Sequence, residues 1–296
     1  MHKGISRFTI VAAMCVAMIN LVQAQSNYWD FKCPEDLHAF FSYRKGKHVL
    51  SGHRGSTEKG LPENSLAAFS KVLEHTPAFF EIDPRLTKDS VVVLMHDATL
   101  DRTSNGSGKV SDYTWAQLQE LRLKDRSGKL TDQRIPRLDS VLVWAKGKTV
   151  LNLDQKGVPA AVYIELIRKY NAFSYVMITV HTASQAKDFL KMAPQLMLSA
   201  HIKTKPVYET YKKQRIPFNQ LIAYIGSEFT SENKALCSLL NEKGVMCMIS
   251  AAPMFDKLPA AARRANAYRT VFKDGASILE SDFPMEVSVA VESHGY

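Results

Sequence analysis

Short runs of β-branched and aromatic residues alternate with longer amphipathic segments along most of this 296-residue chain. Strands separated by helical crossovers are typical of a parallel α/β sheet or barrel. Nine runs qualify as strands, one more than a (β/α)8 barrel needs, so one of them is not a strand or lies outside the barrel. In chain order they are HVLSG, AFFEID, SVVVLMH, TVLNLD, YVMITVH, LMLSAH, LIAYI, GVMCMIS and SILESD.

The connection between the second and third runs, PRLTKDS, is too short to hold a helix. After the third run the chain stays polar and rich in Gly and Ser up to about residue 136. A long excursion of this kind is usually a functional insertion or lid. We therefore predict a single domain over residues 25–296, with a small insertion after the third strand at about residues 98–136.

Residues 1–24 predict a cleavable secretory signal peptide. Lys3 and Arg7 form a basic start, the apolar run from Phe8 to Ile19 is too short for a permanent membrane anchor, and the tripeptide VQA fits a cleavage site. We expect a mature protein that is secreted or periplasmic, with no stable membrane insertion after cleavage.

The charge and the cysteines limit the classes of partner. The formal net charge is +9, or +7 without Lys3 and Arg7, and the basic residues are scattered, which argues against nucleic-acid binding. Beyond the predicted signal peptide, Cys33, Cys237 and Cys247 show no C-x-x-C spacing, so neither a zinc site nor a disulfide framework is indicated. One disulfide with one thiol left over remains open.

Several predicted strands end on ionisable side chains. In a parallel barrel the active site is built from the C-terminal ends of the strands and the loops that follow them. Side chains at these ends are therefore expected to converge on one mouth. They are His53, Asp83, His96 with Asp97, Asp154 with Lys156, and Asp282.

Glu81 and Asp83 are separated by one residue, so in a strand both side chains point to the same side. Two carboxylates on one face repel each other unless a positive charge lies between them. One divalent cation with oxygen ligands, calcium or magnesium, fits this pair, with Asp154 as a plausible third ligand. The alternative is that Glu81 pairs with Arg54 or Lys156 and no metal is bound.

His53 and His96 end two neighbouring early runs. Because imidazoles titrate near neutral pH, one can accept a proton while the other donates one, as cleavage of a phosphate ester requires. Arg54 and Lys156 supply a guanidinium and an ammonium that suit phosphate oxygens. Glu63 follows Pro62 at a helix start, where it is either ordinary punctuation or reaches into the same mouth.

The motifs HRG…PENSLAAF, FFEIDPRLTKDSVVVLMHD, LDRTSNGSGKVSD, IPRLDSVL, LNLDQK and ILESDFP resemble the glycerophosphodiester phosphodiesterase family in order and spacing. The resemblance is dense up to about Lys156 and weaker beyond. It implies a TIM barrel of the phosphatidylinositol-phospholipase-C-like superfamily. It also implies calcium- or magnesium-dependent hydrolysis of a small-molecule glycerophosphodiester to glycerol 3-phosphate and an alcohol.

The resemblance also implies roles for individual residues. The family's Glu-x-Lys stands here as Asp154-Gln155-Lys156, with an aspartate one methylene shorter. Two positions, His181 and His201, have no family counterpart and are either pocket residues or structural histidines. By position, the acid–base pair is His53 and His96, the metal ligands are Glu81, Asp83 and Asp154, the phosphate contacts are Arg54 and Lys156, and Glu63, Asp97 and Asp282 are expected around them.

Two rival functions are open at this point. A related enzyme would cleave intact phospholipid or a glycerophosphate polymer, although the polar excursion offers little apolar surface to a lipid. A non-catalytic binding protein on the same barrel is the alternative from another class. The combination of His53, His96, Glu81 and Asp83 argues against it, because binding alone does not need two titrating imidazoles.

Overall fold

Strands and helices alternate in the structure, a computed structural model that describes residues 27–292. The predicted signal peptide lies outside the described residues. Within them, no helix is both long and apolar enough to cross a membrane. The strands are β1 (Val49–His53), β2 (Phe79–Ile82), β3 (Pro84–Leu86), β4 (Val92–Leu94), β5 (Arg122–Lys124), β6 (Leu130–Arg134), β7 (Leu151–Leu153), β8 (Val176–Val180), β9 (Met197–His201), β10 (Leu221–Gly226), β11 (Met246–Ser250) and β12 (Ile278–Ser281).

Eight of these strands form a closed parallel barrel in the order β1-β2-β7-β8-β9-β10-β11-β12. The predicted TIM barrel is thereby confirmed. The α-helices are α1 (Pro34–Phe40), α2 (Leu66–His75), α3 (Trp115–Leu118), α4 (Leu138–Ala145), α5 (Ala160–Lys169), α6 (Ala183–Met192), α7 (Lys205–Lys213), α8 (Ser231–Asn241), α9 (Ala261–Lys273) and α10 (Pro284–Glu292).

The third predicted strand is the surplus one. Its residues form β4, which pairs antiparallel with β3 outside the barrel, with Arg85 opposite Val93. The short link explains this pairing, since a parallel neighbour needs a long crossover whereas a tight turn suffices for a hairpin. Thr87 closes the turn, donating its N–H to Val91 O and accepting the Val91 N–H on Oγ1. The chain therefore leaves the barrel directly after β2, and β7 takes the next place.

In the structure the excursion begins earlier than predicted, at β3, and ends before α4. It has a core of its own. After β4 come the short helix α3 and then a second antiparallel hairpin, formed by β5 and β6. Ser104 forms an isolated bridge to Leu123, which ties the loop after β4 to this hairpin. The buried apolar residues of this core are Val93, Met95, Leu100, Val110, Leu118, Leu123 and Ile135.

Side chains alternate along a β-strand, so every second residue of each barrel strand points into the barrel. On most strands the first inward residue is apolar, the second is polar and the third, at the carboxyl end, is ionisable. Leu37 and Phe41, in and after α1, pack beneath the apolar set and close the amino-terminal end of the barrel. The inward triplets of six strands are Val49, Ser51 and His53; Phe79, Glu81 and Asp83; Val150, Asn152 and Asp154; Met177, Thr179 and His181; Met197, Ser199 and His201; and Ile278, Glu280 and Asp282.

Candidate active site

His53 stands at the end of β1 and is held by Asp282, which follows β12. The Nδ1 atom of His53 lies 2.7 Å from Asp282 Oδ1, so Nδ1 carries the proton that this carboxylate accepts. Nε2 then faces the barrel mouth, 3.9 Å from Glu81 Oε2. Burial alone would lower the pKa of His53, but Asp282 and Glu81 favour the imidazolium and raise it to about 10. A cation held by Glu81 would oppose that rise.

Arg54 and Gly55, which follow His53, form a tight turn that directs the Arg54 side chain across the mouth. Both have positive φ, 55° at Arg54 and 86° at Gly55. A Cβ at Gly55 would lie 2.6 Å from a ring carbon of Phe69, so only glycine fits there. The Arg54 backbone N–H donates to Glu81 Oε2 at 3.2 Å, and its Nε lies 3.5 Å from Asp83 Oδ2.

Three carboxylates meet beside this turn. Ligand oxygens of Glu81, Asp83 and Asp154 all lie within 4.8 Å of one another. Asp83 has no exposed surface, and its Oδ1 accepts no hydrogen bond although Lys156 Nζ lies 3.3 Å away. Burial and the neighbouring Asp83 raise the pKa of Glu81 well above its usual range. Hard oxygen donors with a buried, unsatisfied carboxylate oxygen suit a divalent cation, so these residues could hold one.

Lys156 lies against the carboxylates. Its Nζ is 2.6 Å from Asp154 Oδ2 as well as 3.3 Å from Asp83 Oδ1. Glu81, by contrast, accepts from the backbone of Arg54 and not from the Lys156 ammonium in the described contacts. The prediction that Arg54 and Lys156 lie beside the acidic residues therefore matches their positions, while their contact with phosphate stays a prediction.

His96 follows β4 in the excursion and lines neither of the two cavities described below. Arg85 donates from Nε to the carbonyl oxygens of Met95 and His96, 3.0 Å each, which fixes the backbone that carries the ring. His96 Nδ1 lies 2.7 Å from Asp97 Oδ1. Arg102 and His96 lower the pKa of Asp97, so this carboxylate stays ionised. The imidazole of His96 is thus oriented by an aspartate, as that of His53 is.

Glu63 joins the excursion to the barrel. Arg102 donates to both oxygens of Glu63 at 2.8 Å, and Arg54 donates to Oε1 at 3.2 Å. Although burial opposes ionisation, Arg102 and Arg54 lower the pKa of Glu63. Of the two interpretations of Glu63, helix punctuation or a residue of the mouth, the structure supports the second. Sequence reasoning missed Arg102, which lies in a polar loop with no distinguishing pattern.

Asn64 is a second residue that sequence reasoning missed. Its place before α2 is typical of a helix cap, but Ser65 alone caps α2, its side chain accepting from Ala68 N. Asn64 instead donates from Nδ2 to Asp83 Oδ2 at 2.7 Å and accepts the Asp83 N–H on Oδ1 at 3.1 Å. Its φ of 56° and a bond from its N–H to Arg54 O tie it to the same turn. Asn64 therefore orients a carboxylate of the cluster.

Replacing Asn64 by alanine is expected to destabilise the protein by about 1–3 kcal/mol beyond the cost of its left-handed backbone, because two buried partners on Asp83 lose their bonds. Asn171→Ala is the matched control, since Asn171 has φ 49° but is exposed. Urea unfolding of both variants measures the difference. Equal destabilisation would show that the Asn64 side chain contributes nothing to holding Asp83.

Two adjoining cavities open above these residues, sharing His53, Ser250 and Pro253. One, of about 210 Å³, extends over the barrel axis and is walled on its far side by His181, His201 and Tyr224. The other, of about 410 Å³, opens toward the excursion and is lined by Arg54, Glu63, Arg102, Arg126 and Asp282 among others. His181 and His201 are therefore pocket residues.

Carboxylates placed to hold a cation beside a proton-transfer imidazole and two positive charges suit the cleavage of a phosphoric diester, and this chain belongs to the phosphoric diester hydrolases. Residues 53–214 match the glycerophosphoryl diester phosphodiesterase family. The chain belongs to this family, and the resemblance described from its motifs is confirmed.

Individual relatives agree with this assignment. A glycerophosphoryl diester phosphodiesterase from Parabacteroides distasonis has a crystal structure with a TM-score of 0.89 and 48% identity, covering 90% of this chain and 94% of that one. A glycerophosphodiester phosphodiesterase from Caldanaerobacter subterraneus subsp. tengcongensis is 35% identical over 51% of this chain, and the match spans 65% of that relative's length.

A more distant structure shares the fold alone. The Oleispira antarctica phosphodiesterase, solved in complex with the product sn-glycerol-3-phosphate, has a TM-score of 0.66 and 16% identity. The alignment covers 86% of this chain and 99% of the Oleispira antarctica chain.

Proposed function

We propose that this protein hydrolyses glycerophosphodiesters to glycerol 3-phosphate and an alcohol, using a divalent cation and a pair of histidines. The observation that carries the proposal is one cavity lined both by His53, which Asp282 holds, and by Glu81 and Asp154 of the carboxylate cluster. A phosphodiester placed there meets a proton-transfer group and a site for a neutralising charge together. Membership in the family supports the same reaction.

Glu81, Asp83 and Asp154 would hold the cation. The donor set contains only carboxylate oxygens, which favours calcium or magnesium over metals that prefer nitrogen or sulfur ligands. When bound, such a cation would neutralise charge on the phosphoryl oxygens of the substrate. Lys156 and Arg54, which lie against the same carboxylates, add two positive charges on the flank of the cluster.

The histidines divide the proton transfers. Hydrolysis breaks the bond between phosphorus and the alcohol oxygen, while water supplies the new oxygen on phosphorus. One imidazole takes the proton that this water releases, and the other protonates the departing alcohol oxygen. Asp282 keeps the proton of His53 on Nδ1 and leaves Nε2 toward the cavity. Asp97 keeps the proton of His96 on Nδ1, and the Glu63–Arg102 contact holds that loop against the barrel.

We also propose that the protein is exported. Residues 1–24 supply the signal-peptide pattern on which this rests. Expression of the full chain followed by cell fractionation, with the mature amino terminus determined by mass spectrometry, tests it. A cytoplasmic protein that keeps residues 1–24 would overturn the assignment.

The full chain, loaded with Mg²⁺ or Ca²⁺, is expected to release glycerol 3-phosphate from at least one glycerophosphodiester, and complete chelation is expected to stop the release. An enzyme-coupled assay of glycerol 3-phosphate measures both effects, with re-addition of each cation as the control for chelator damage. Release that survives chelation would contradict the role of the cation. Failure to cleave any diester would refute the proposed function.

A further inference from the structure

Three side chains on successive strands form a polar wall that no catalytic role uses. His181 follows β8, His201 ends β9 and Tyr224 lies in β10. The two imidazole Nδ1 atoms are 3.1 Å apart with the rings edge to face, and the His201 and Tyr224 ring centroids lie 4.8 Å apart. All three line the 210 Å³ cavity opposite His53. We name them the His–His–Tyr wall.

The contact between the histidines fixes where their protons lie. Only one of two Nδ1 atoms at 3.1 Å can carry a hydrogen, so one ring donates to the other. His181 Nε2 lies 3.8 Å from Asp154 Oδ1, which favours a hydrogen on that nitrogen. With that hydrogen on Nε2, His181 accepts at Nδ1 and His201 is the donor. This order leaves the Nε2 lone pair of His201 as a hydrogen-bond acceptor.

The surroundings of His201 agree with that arrangement. Burial, together with His181 and Lys203, lowers the pKa of His201 to about 4, so the ring is neutral at neutral pH and, with its hydrogen on Nδ1, has a free acceptor at Nε2. The hydroxyls of Thr179 and Ser199 line the same cavity and can donate or accept. The wall and its neighbouring hydroxyls therefore offer a ligand both hydrogen-bond donors and hydrogen-bond acceptors.

The same cavity is poorly built for a cationic group. Lys203 Nζ lies 4.7 Å from the centroid of the Tyr224 ring, so that aromatic ring already has a cation over it. The carboxylates of Glu81 and Asp154 belong to the cluster that would hold the metal. Glu280 accepts from Ser51 Oγ at 3.3 Å, and burial raises the pKa of this carboxyl group.

The adjoining 410 Å³ cavity is also poorly suited to a cationic group. Arg54, Arg102 and Arg126 line it. Its two acids already have partners, since Glu63 accepts from Arg102 and Asp282 holds His53. An ammonium entering either cavity would meet imidazoles, hydroxyls or guanidinium groups, and among the described lining residues Glu280 is the one carboxylate outside the predicted metal cluster and the ion pairs.

We propose that the His–His–Tyr wall binds the hydroxyl groups of the leaving alcohol, so that the enzyme prefers diesters of neutral polyols, such as glycerol or inositol, to those of choline or ethanolamine. A polyol hydroxyl donates to His201 Nε2 while its oxygen accepts from a neighbouring hydroxyl. A trimethylammonium group can do neither, and an ammonium can only donate. This specificity rests on the proposed function.

The test compares kcat/KM of the Mg²⁺-loaded full chain for glycerophosphoglycerol, glycerophosphoinositol, glycerophosphocholine and glycerophosphoethanolamine. Wild type is expected to favour the two polyol diesters about tenfold or more, because a site built around substrate hydroxyls leaves its polar groups unpaired when they are missing. His201→Phe should reduce the polyol-to-choline ratio about tenfold, the equivalent of one hydrogen bond. His201→Gln, whose amide can still accept, should restore part of the ratio.

His38→Phe is the matched control. His38 lies in α1 at the opposite end of the barrel, where its Nε2 contacts Gln195 O, so its loss should leave the ratio unchanged. A wild-type preference for choline or ethanolamine, or an unchanged ratio in His201→Phe, would overturn the proposal. Equal losses of kcat/KM for all four diesters in His201→Phe would also overturn the proposal, because the wall would then contact the glycerol group that the four substrates share. Absence of hydrolysis of all four by wild type would instead refute the proposed function.

Discussion

Replacing His53 by glutamine is expected to lower kcat about 10²–10⁴-fold, the usual contribution of one positioned proton-transfer group. Glutamine approximates the size of the ring and can still bond Asp282, but it cannot exchange a proton at neutral pH. Because the 2.7 Å contact between His53 and Asp282 sets the tautomer, Asp282→Ala should lower kcat as well, by a smaller factor. Steady-state kinetics of glycerol 3-phosphate release measures both changes.

His75→Gln is the matched control for this substitution, since His75 is an exposed histidine at the end of α2. Its kcat should equal that of wild type. His96→Gln is expected to lose activity on the scale of His53→Gln, because in the proposed mechanism the two imidazoles carry the two halves of the proton transfer. Near-normal turnover in either active-site variant would remove that histidine from the mechanism.

Replacing Asp83 by asparagine is expected to lower both cation affinity and kcat by at least about 100-fold. Changes that only touch a ligand's hydrogen-bond partner typically cost 10–100-fold, and here the ligand itself loses its charge. Asp83 is the most enclosed member of the cluster, with no exposed surface and an Oδ1 that accepts no hydrogen bond. Titration calorimetry with Ca²⁺ and Mg²⁺ measures the affinity, and the coupled assay measures kcat.

Asp132→Asn provides the comparison for Asp83→Asn. Asp132 lies on β6 with its side chain almost fully exposed and an ion pair to Arg122, so its substitution should alter neither quantity. Full cation-dependent activity in Asp83→Asn would show that the carboxylate of Asp83 is not a ligand.

The sequence predicted the members of the mouth well because one physical rule covers them. Residues at the carboxyl ends of parallel barrel strands share one face, so strand ends alone were enough to bring His53, Asp83, Asp154 and Asp282 together. His96 at the mouth stays a prediction, because its strand is not part of the barrel and its side chain lines neither cavity. A hairpin strand and a barrel strand have the same composition, and the short PRLTKDS link was the feature that distinguished them.

The residues that were missed fall into two physical kinds. Asn64 matched an ordinary helix start, and nothing in a one-dimensional pattern shows that a cap position also faces a distant carboxylate. Glu280 lies inside a strand and was missed because the alternation was applied to Glu81 and Asp83 alone. The alternation that joins Glu81 to Asp83 also joins Glu280 to Asp282, and applying it would have placed Glu280 in the cavity.

The separate core of the excursion ties activity to local as well as global stability. Beyond β4 the excursion packs around its own apolar residues and contacts the barrel through the Arg102–Glu63 and Arg126–Asp282 ion pairs, whereas Val92 and Leu94 of β4, near His96, pack in the main core. Segments held by few contacts open with less free energy than the whole domain. Turnover therefore follows the fraction of molecules in which this segment is docked, so heat or denaturant should inactivate the enzyme before the barrel melts.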